Sequence, residues 1–236
     1  LRERTGWQLH APERLLAGAP WPGPAHAEPA LDLDTTLRTH VAADLHRWVD
    51  ALLEGSLPAA AAIAAGLGDY PIYVTRDLDQ ARRYAARRYA GQIERRYGLL
   101  ASSCAENLRG HAPRIKEDGI GVGYGRWYEG SPRGKNYCCA LQTAVSEFGC
   151  QGLELDLSVV CWGDDLTWAE GQWAQRAGKK RRGARAPQRL RKNAYRVLLT
   201  RGRDGICIFV PPEPAVLMDP VDAALRSAGA QRLLDG

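Results

Sequence analysis

No stretch of the 236 residues approaches the roughly 20 consecutive apolar residues a membrane helix needs. The most apolar run, residues 57–67, is short and built from alanine, so an integral membrane protein is excluded. No basic-then-apolar secretory leader opens the chain. No two of the six cysteines have CxxC spacing, and no histidine stands at a helical or hairpin interval from one, which argues against a zinc site. Cys138 and Cys139 are adjacent, while Cys104, Cys150, Cys161 and Cys207 are scattered among apolar neighbours; reduced thiols and a cytoplasmic setting are expected. Internal repeats are absent. So is a Walker A loop, which needs GxxxxGK followed by Ser or Thr. The nearest match, residues 130–136, is one residue short and ends in Asn136. The alternating Gly119, Gly121, Gly123 and Gly125 have no apolar strand leading in and no helix following, since Trp127, Tyr128 and Glu129 run into Pro132. Both stretches read as plain loops, and nothing here binds β- and γ-phosphates by the usual device.

What is present is ordinary for a globular protein: 45% hydrophobic and 25% charged residues, enough chain for one large domain with or without an appendage. The net charge of +5 permits a polyanionic partner without requiring one. That charge is concentrated in two places, Arg82, Arg83, Arg87, Arg88, Arg95 and Arg96, and again Lys179, Lys180, Arg181, Arg182, Arg185, Arg189, Arg191 and Lys192. The first group reads largely as a solvated helical face.

Residues 1–30, rich in Pro, Ala and Gly, read as an extended lead-in with one short helix. Val41, Leu45, Trp48, Val49 and Leu52 recur at helical spacing, and an Ala-rich helix follows over 58–67. A strand over 71–75 closes at Asp77, a good N-cap for the Arg-rich helix behind it. A second apolar run, 99–101, ends in Ser102 and Ser103 before a short helix. After a glycine-rich loop at about 110–135 come a strand over 157–162, a polar and then basic insertion at about 168–189, a helix over 187–201, a strand over 206–210 and a last helix over 220–225. Strand, polar tip and helix in alternation predict one α/β domain over 31–236 with a parallel sheet.

Two segments carry specific wording. Glu147-Phe148-Gly149-Cys150-Gln151-Gly152-Leu153-Glu154-Leu155-Asp156 leads into the 157–162 strand, and Asn193 to Asp204, with Thr200-Arg201-Gly202-Arg203 at its centre, leads into the 206–210 strand. They resemble motifs V and VI of superfamily 1 helicases, and Leu37-Arg38 resembles the motif IV arginine. With Val74-Thr75-Arg76-Asp77-Leu78 and Gly98-Leu99-Leu100-Ala101-Ser102-Ser103, the wording is most similar to Schlafen group 3-like helicases, over about residues 31–234. Gly202 stands where the family pattern has Ala, and Gln151 where motif V usually has Lys.

The resemblance implies a RecA-like α/β fold, a parallel sheet with helices on both faces, here without its own Walker A loop. It implies the second, C-terminal motor domain of an ATP-dependent nucleic-acid helicase or translocase. Catalytic roles fall to Arg201 and Arg38, and nucleotide binding to Gln151, Gly152, Glu154, Arg201 and Arg203. ATP with Mg2+ would be shared with an N-terminal RecA-like domain that carries Walker A and B and supplies the metal ligands. The chain begins at Leu1 rather than Met, in keeping with a C-terminal piece that hydrolyses nothing alone. Arginine suits the motif VI position because a guanidinium stays charged and offers a planar fork of donors to a phosphoryl group gaining negative charge. On a helix Thr200 and Arg196 share a face with Arg203.

Single-stranded DNA or RNA is the expected partner, and a membrane is not. Thr75, Arg76, Ser102 and Ser103 end two strands where ligands of parallel sheets gather, and Lys179, Lys180, Arg181 and Arg182 form a basic loop; all suit backbone phosphates. Helix capping is the competing reading of Thr75, Arg76, Ser102 and Ser103. Trp162, Trp168 and Trp173 read as packing aromatics, with base stacking the alternative. Two other functions fit the chain: a helicase-derived module that binds nucleic acid or protein without hydrolysis, and an unrelated enzyme using Glu154 and Asp156 as an acid–base pair.

Overall fold

The computed structural model describes residues 8–17, 23–31, 40–110, 124–131, 134, 136–176 and 187–234. The chain divides into a small unit, residues 1–43, and a large one, residues 44–236. In the small unit β1 (Leu9–Ala11) is followed by α1 (Glu13–Leu16) and pairs in parallel with β2 (Ala25–Ala27). The lead-in thus holds its one short helix and also a two-stranded ribbon.

The chain continues through α2 (His40–Glu54), α3 (Leu57–Ala65), β3 (Ile72–Thr75), α4 (Leu78–Arg88), β4 (Tyr97–Ala101), α5 (Tyr124–Glu129) and β5 (Ala144–Val145). It ends with β6 (Leu157–Cys161), β7 (Leu166–Ala169), β8 (Gln172–Gln175), α6 (Pro187–Leu199), β9 (Ile206–Phe209), α7 (Ala215–Ser227) and β10 (Gln231–Arg232). Six strands form one sheet in the order β10-β3-β9-β6-β4-β5, every neighbouring pair parallel. The central strands β6 and β9 are buried along their whole length, which is why they read as apolar runs interrupted only by the buried Ser158.

Alternate residues of each strand feed opposite faces. Leu100, Val160 and Ile208 join a core with Trp48 and Leu52 of α2, Tyr195 and Leu198 of α6, and Val221 and Leu225 of α7. Leu99, Val159 and Cys207 join a second core with Leu78, Ala81 and Ala85 of α4. Helices therefore cover both faces, the layered architecture of a RecA-like domain. Asp77 caps α4 as its position predicts, its carboxylate accepting from the Asp79 amide at 2.8 Å.

Several elements depart from the sequence reading. Residues 124–129, expected as loop, form α5, held by the fully buried Trp127, whose indole donates to the Thr143 carbonyl at 3.0 Å. Trp127 lies so close to Gly98 that a Cβ there would approach its ring to 2.7 Å; this tertiary burial, not local periodicity, makes the turn helical. The start of the 168–189 insertion is the hairpin β7–β8. The last helix begins at Ala215 and runs through Pro220, which forfeits one hydrogen bond near the helix start rather than marking its first residue. Trp162 and Trp173 are fully buried, their rings 5.0 Å apart, and are packing residues.

Candidate nucleotide and nucleic-acid edges

Because all six strands are parallel, the sheet has an amino edge and a carboxyl edge, and the candidate residues fall on both. At the amino edge the segment before β6 and the segment before β9 join. Leu155 and Gly202 form a parallel bridge, the Leu155 amide donating to the Arg201 carbonyl at 2.9 Å and the Arg203 amide to the Leu155 carbonyl at 2.8 Å. Glu154, Arg201 and Arg203 are thereby brought to one end of the sheet.

Arg201 lies just past α6, half-buried and anchored. Its Nε donates to the Val197 carbonyl at 3.0 Å, Nη1 to the Leu153 carbonyl at 3.3 Å and Nη2 to the Thr200 hydroxyl at 3.3 Å. The stem is thus fixed to its own helix and to the Gln151–Glu154 turn. Gln151 and Gly152 are exposed; Gly152 sits at φ +84° with open space where a side chain would stand, a backbone that favours glycine and leaves the turn accessible. The Glu154 carbonyl accepts from the Tyr128 hydroxyl at 2.7 Å. Gly202 explains its own departure from the family pattern: a Cβ there would lie 2.2 Å from the Gly205 carbonyl oxygen.

The hub of this edge is Asp156. Its buried carboxylate accepts from Arg95 Nη1 at 2.8 Å, Arg203 Nη2 at 2.5 Å and the Arg96 amide at 2.7 Å. Burial alone would raise its pKa; the Arg96 amide and the Arg203 and Arg95 guanidinium groups override it and hold the acid below the usual carboxylate range. A carboxylate held ionised this way is a poor proton shuttle, so the Glu154–Asp156 acid–base reading fails on Asp156. Arg95 also reaches Asp204 at 3.1 Å. The expected face of Thr200, Arg196 and Arg203 does not form: the Thr200 hydroxyl bonds the Arg196 carbonyl, Arg196 pairs with Asp50 at 2.9 Å, and Arg203 turns to Asp156.

At the carboxyl edge Thr75 is buried and its hydroxyl accepts from the Asp77 amide at 3.0 Å, a capping role. Arg76 is partly exposed and bonds Asp219 at 2.8 Å and the Pro211 carbonyl at 3.0 Å. Ser102 has no exposed surface. Its hydroxyl donates to Asp165 at 2.5 Å and accepts from Arg191 Nη1 at 2.7 Å and the Cys104 amide at 3.2 Å. Ser103 gives its amide and its hydroxyl to the two oxygens of Glu147, both at 2.8 Å. Arg191 Nε lies 3.0 Å from Asp165, whose other oxygen accepts from Tyr195 at 2.8 Å. Burial raises the pKa of Asp165, with Arg191 and Ser102 opposing.

The buried set of Glu147, Asp165, Arg191 and Tyr195 has no counterpart in the sequence reading. Its signal was Asp164-Asp165 directly after an apolar strand, the position where parallel sheets gather polar groups. Asp156 was named only as half of an acid–base pair with Glu154 or as a turn residue, not as the hub of an arginine cluster. Arg38, Lys179, Lys180, Arg181 and Arg182 lie outside the described residues. Among the described residues no group of three or more His, Cys, Asp or Glu could hold a metal ion, and no helix is long and apolar enough to cross a membrane.

The Schlafen group 3 DNA/RNA helicase domain family matches residues 6–212. The chain belongs to that family. No curated protein and no solved structure matches it. Membership supports a helicase-related role and interaction with nucleic acid at that coarse level, and a RecA-like sheet is the fold it entails. In this Schlafen group 3 domain, ten residues from Glu147 to Asp156 run from the carboxyl end of β5 to the amino end of β6, so one short segment touches both edges.

Proposed function

We propose that the chain is the second motor domain of an ATP-driven nucleic-acid translocase, its amino edge completing an ATP site opened by an N-terminal RecA-like domain. The observation that carries this reading is the Leu155–Gly202 bridge, which sets Arg201, Arg203 and the Gln151–Glu154 turn side by side at one end of a rigid sheet. Two guanidinium groups and an exposed glycine turn suit a polyphosphate, and the Glu154 carboxylate suits a ribose hydroxyl. Arg201 takes the part of the finger that stabilises charge on the transferring phosphoryl group, its stem preset by the bonds to Val197, Leu153 and Thr200. Arg203 braces the site through Asp156. Arg38, outside the described residues, is kept in the proposal as a catalytic cation on the family resemblance alone. Mg2+ and its ligands are assigned to the N-terminal domain, and no step here runs through them.

Arg76 and Ser103 at the carboxyl edge are assigned to the strand's phosphates; Lys179, Lys180, Arg181 and Arg182, outside the described residues, are kept in the same proposal on their charge alone. Thr75 and Ser102, both buried, position that edge from beneath. The test joins this domain to an N-terminal RecA-like domain bearing Walker A and B and measures ATP turnover with single-stranded DNA and with single-stranded RNA. Stimulation by either polymer supports the motor and names the polymer. Retained, salt-sensitive binding with no turnover makes the chain a non-hydrolysing binding module instead.

A further inference from the structure

Two thiols that the proposed motor does not use lie next to its amino edge. Cys138 and Cys139 open a 3-10 turn, Cys138–Ala140, that packs on β4, and their sulfur atoms are 3.7 Å apart. Cys138 is fully buried and Cys139 is partly exposed. Residues of three segments face the pair. From the Arg95–Tyr97 segment come the Arg95 carbonyl, 3.5 Å from Cys139 Sγ, the Arg96 guanidinium and the Tyr97 amide; the turn itself adds the Tyr137 hydroxyl, and α5 adds the Tyr128 carbonyl, 3.9 Å from Cys138 Sγ. Arg96 in turn stands 5.7 Å over the Tyr137 ring.

The neighbours sort the two thiols into different roles. Hydrogen bonding from Cys138 pulls the Cys139 pKa below the ordinary thiol value; burial opposes, and the Tyr97 amide, the Tyr137 hydroxyl and Arg96 add to the pull. The same hydrogen bond, together with burial, pushes Cys138 far up, so it stays a thiol. Exposure sets the order: Cys139 is the sulfur an oxidant can reach, and Cys138 is the buried thiol 3.7 Å behind it, the arrangement that peroxide chemistry needs.

We propose that Cys138 and Cys139 form a reversible oxidation site for peroxide-class oxidants, with Cys139 attacked first and Cys138 resolving it. In the first step Cys139 thiolate attacks the terminal peroxide oxygen. An S–O bond forms, the O–O bond breaks, and the alkoxide or hydroxide leaves and takes up a proton. In the second step Cys138 sulfur attacks the Cys139 sulfenic sulfur. The S–S bond forms, the S–O bond breaks, and hydroxide departs with the Cys138 proton as water. Two thiols lose two electrons in all, and one peroxide is reduced. Neighbouring Cα atoms stand only about 3.8 Å apart across a trans peptide, less than the usual disulfide span. The product is therefore strained and readily reversed by a dithiol, as a regulatory bond must be. It also acts on the Arg95–Tyr97 segment, which supplies two of the three donors that hold Asp156.

The test uses the reduced 236-residue protein, hydrogen peroxide as oxidant, and differential alkylation read by peptide mass. The expected result is a loss of about 2 Da on the peptide carrying both cysteines, restored by dithiothreitol. Cys138→Ser stops at a sulfenic acid on Cys139, about 16 Da heavier and trapped by dimedone; Cys139→Ser abolishes the reaction. In the unmodified protein, which needs no variant to fold, Cys139 alkylates at pH 7 about tenfold faster than Cys104, the other partly exposed cysteine. The proposal is overturned if Cys139 remains alkylatable after peroxide, if its disulfide partner is any cysteine but Cys138, or if Cys104 is the faster thiol.

Discussion

Arg203 Nη2 and Asp156 Oδ1 meet at 2.5 Å across the segments that lead into β9 and β6, and Arg95 closes on the same oxygen at 2.8 Å. One buried carboxylate thus ties the strand before the sheet's centre to the loop that holds Arg201. The amino edge is held together by a residue that the proposed ATP site does not itself use.

Replacing Asp156 with Asn keeps the shape and removes the charge, leaving two guanidinium groups without their common partner. Breaking a buried pair of this kind costs about 3–5 kcal/mol; with Arg203 half exposed the expected loss is near the lower end. The Asp156 pKa is depressed on folding, so its contribution is fully present above pH about 4 and is lost as pH falls through the folded value. Denaturant midpoints between pH 7 and pH 3 check this: the wild-type advantage over Asp156→Asn is constant at neutral pH and shrinks on acidification.

Arg191→Met leaves Asp165 buried without its cation. The folded pKa of Asp165 is already raised by burial and rises further in the variant. For an acid with a raised folded pKa, stability falls as pH climbs through the window between the unfolded and folded values. The variant should therefore lose about 3 kcal/mol at pH 7 and recover part of it below pH about 5; here the deficit shrinks because the variant gains on acidification, whereas with Asp156→Asn it shrinks because the wild type loses. Thermal unfolding at the two pH values reads the sign directly.

Gly202→Ala restores the commoner residue of the motif and should still destabilise the protein, by about 1–3 kcal/mol, because the new methyl meets the Gly205 carbonyl at 2.2 Å. A denaturant midpoint equal to or above that of the wild type contradicts this packing.

Arg76→Ala is expected to weaken binding to single-stranded nucleic acid about equally for all sequences and to reduce the salt slope by about one. Ser102→Ala acts differently. It removes an internal hydroxyl that bonds Asp165, Arg191 and Cys104, so unfolding, rather than the salt slope, registers its loss. Filter binding across a salt series separates the two.

The layered α/β fold was legible because β6 and β9 are buried on both faces and so read as apolar runs between polar tips. The Asp77 cap was legible for a local reason as well. What escaped notice depended on distant partners. α5 is helical because Trp127 finds Gly98 and Thr143, and β5 is only two residues long. The two segments were singled out by their wording, yet their meeting is made by one backbone bridge between Leu155 and Gly202. Asp156 and Asp165 escaped a structural reading because nothing local distinguishes a carboxylate that will be buried against arginines 26 to 61 residues away from one left in water; only the fold brings Arg95, Arg203 and Arg191 to them.

The central claim is that Arg201 serves a shared ATP site. The measurement that tests it most directly is nucleic-acid-stimulated ATP turnover by this domain joined to an N-terminal RecA-like domain bearing Walker A and B, beside the Arg201→Ala variant, with unfolding midpoints of both. The account predicts a fall in turnover of about a thousandfold or more, with the unfolding midpoints showing that the variant remains folded. Turnover unchanged in a folded variant would contradict it.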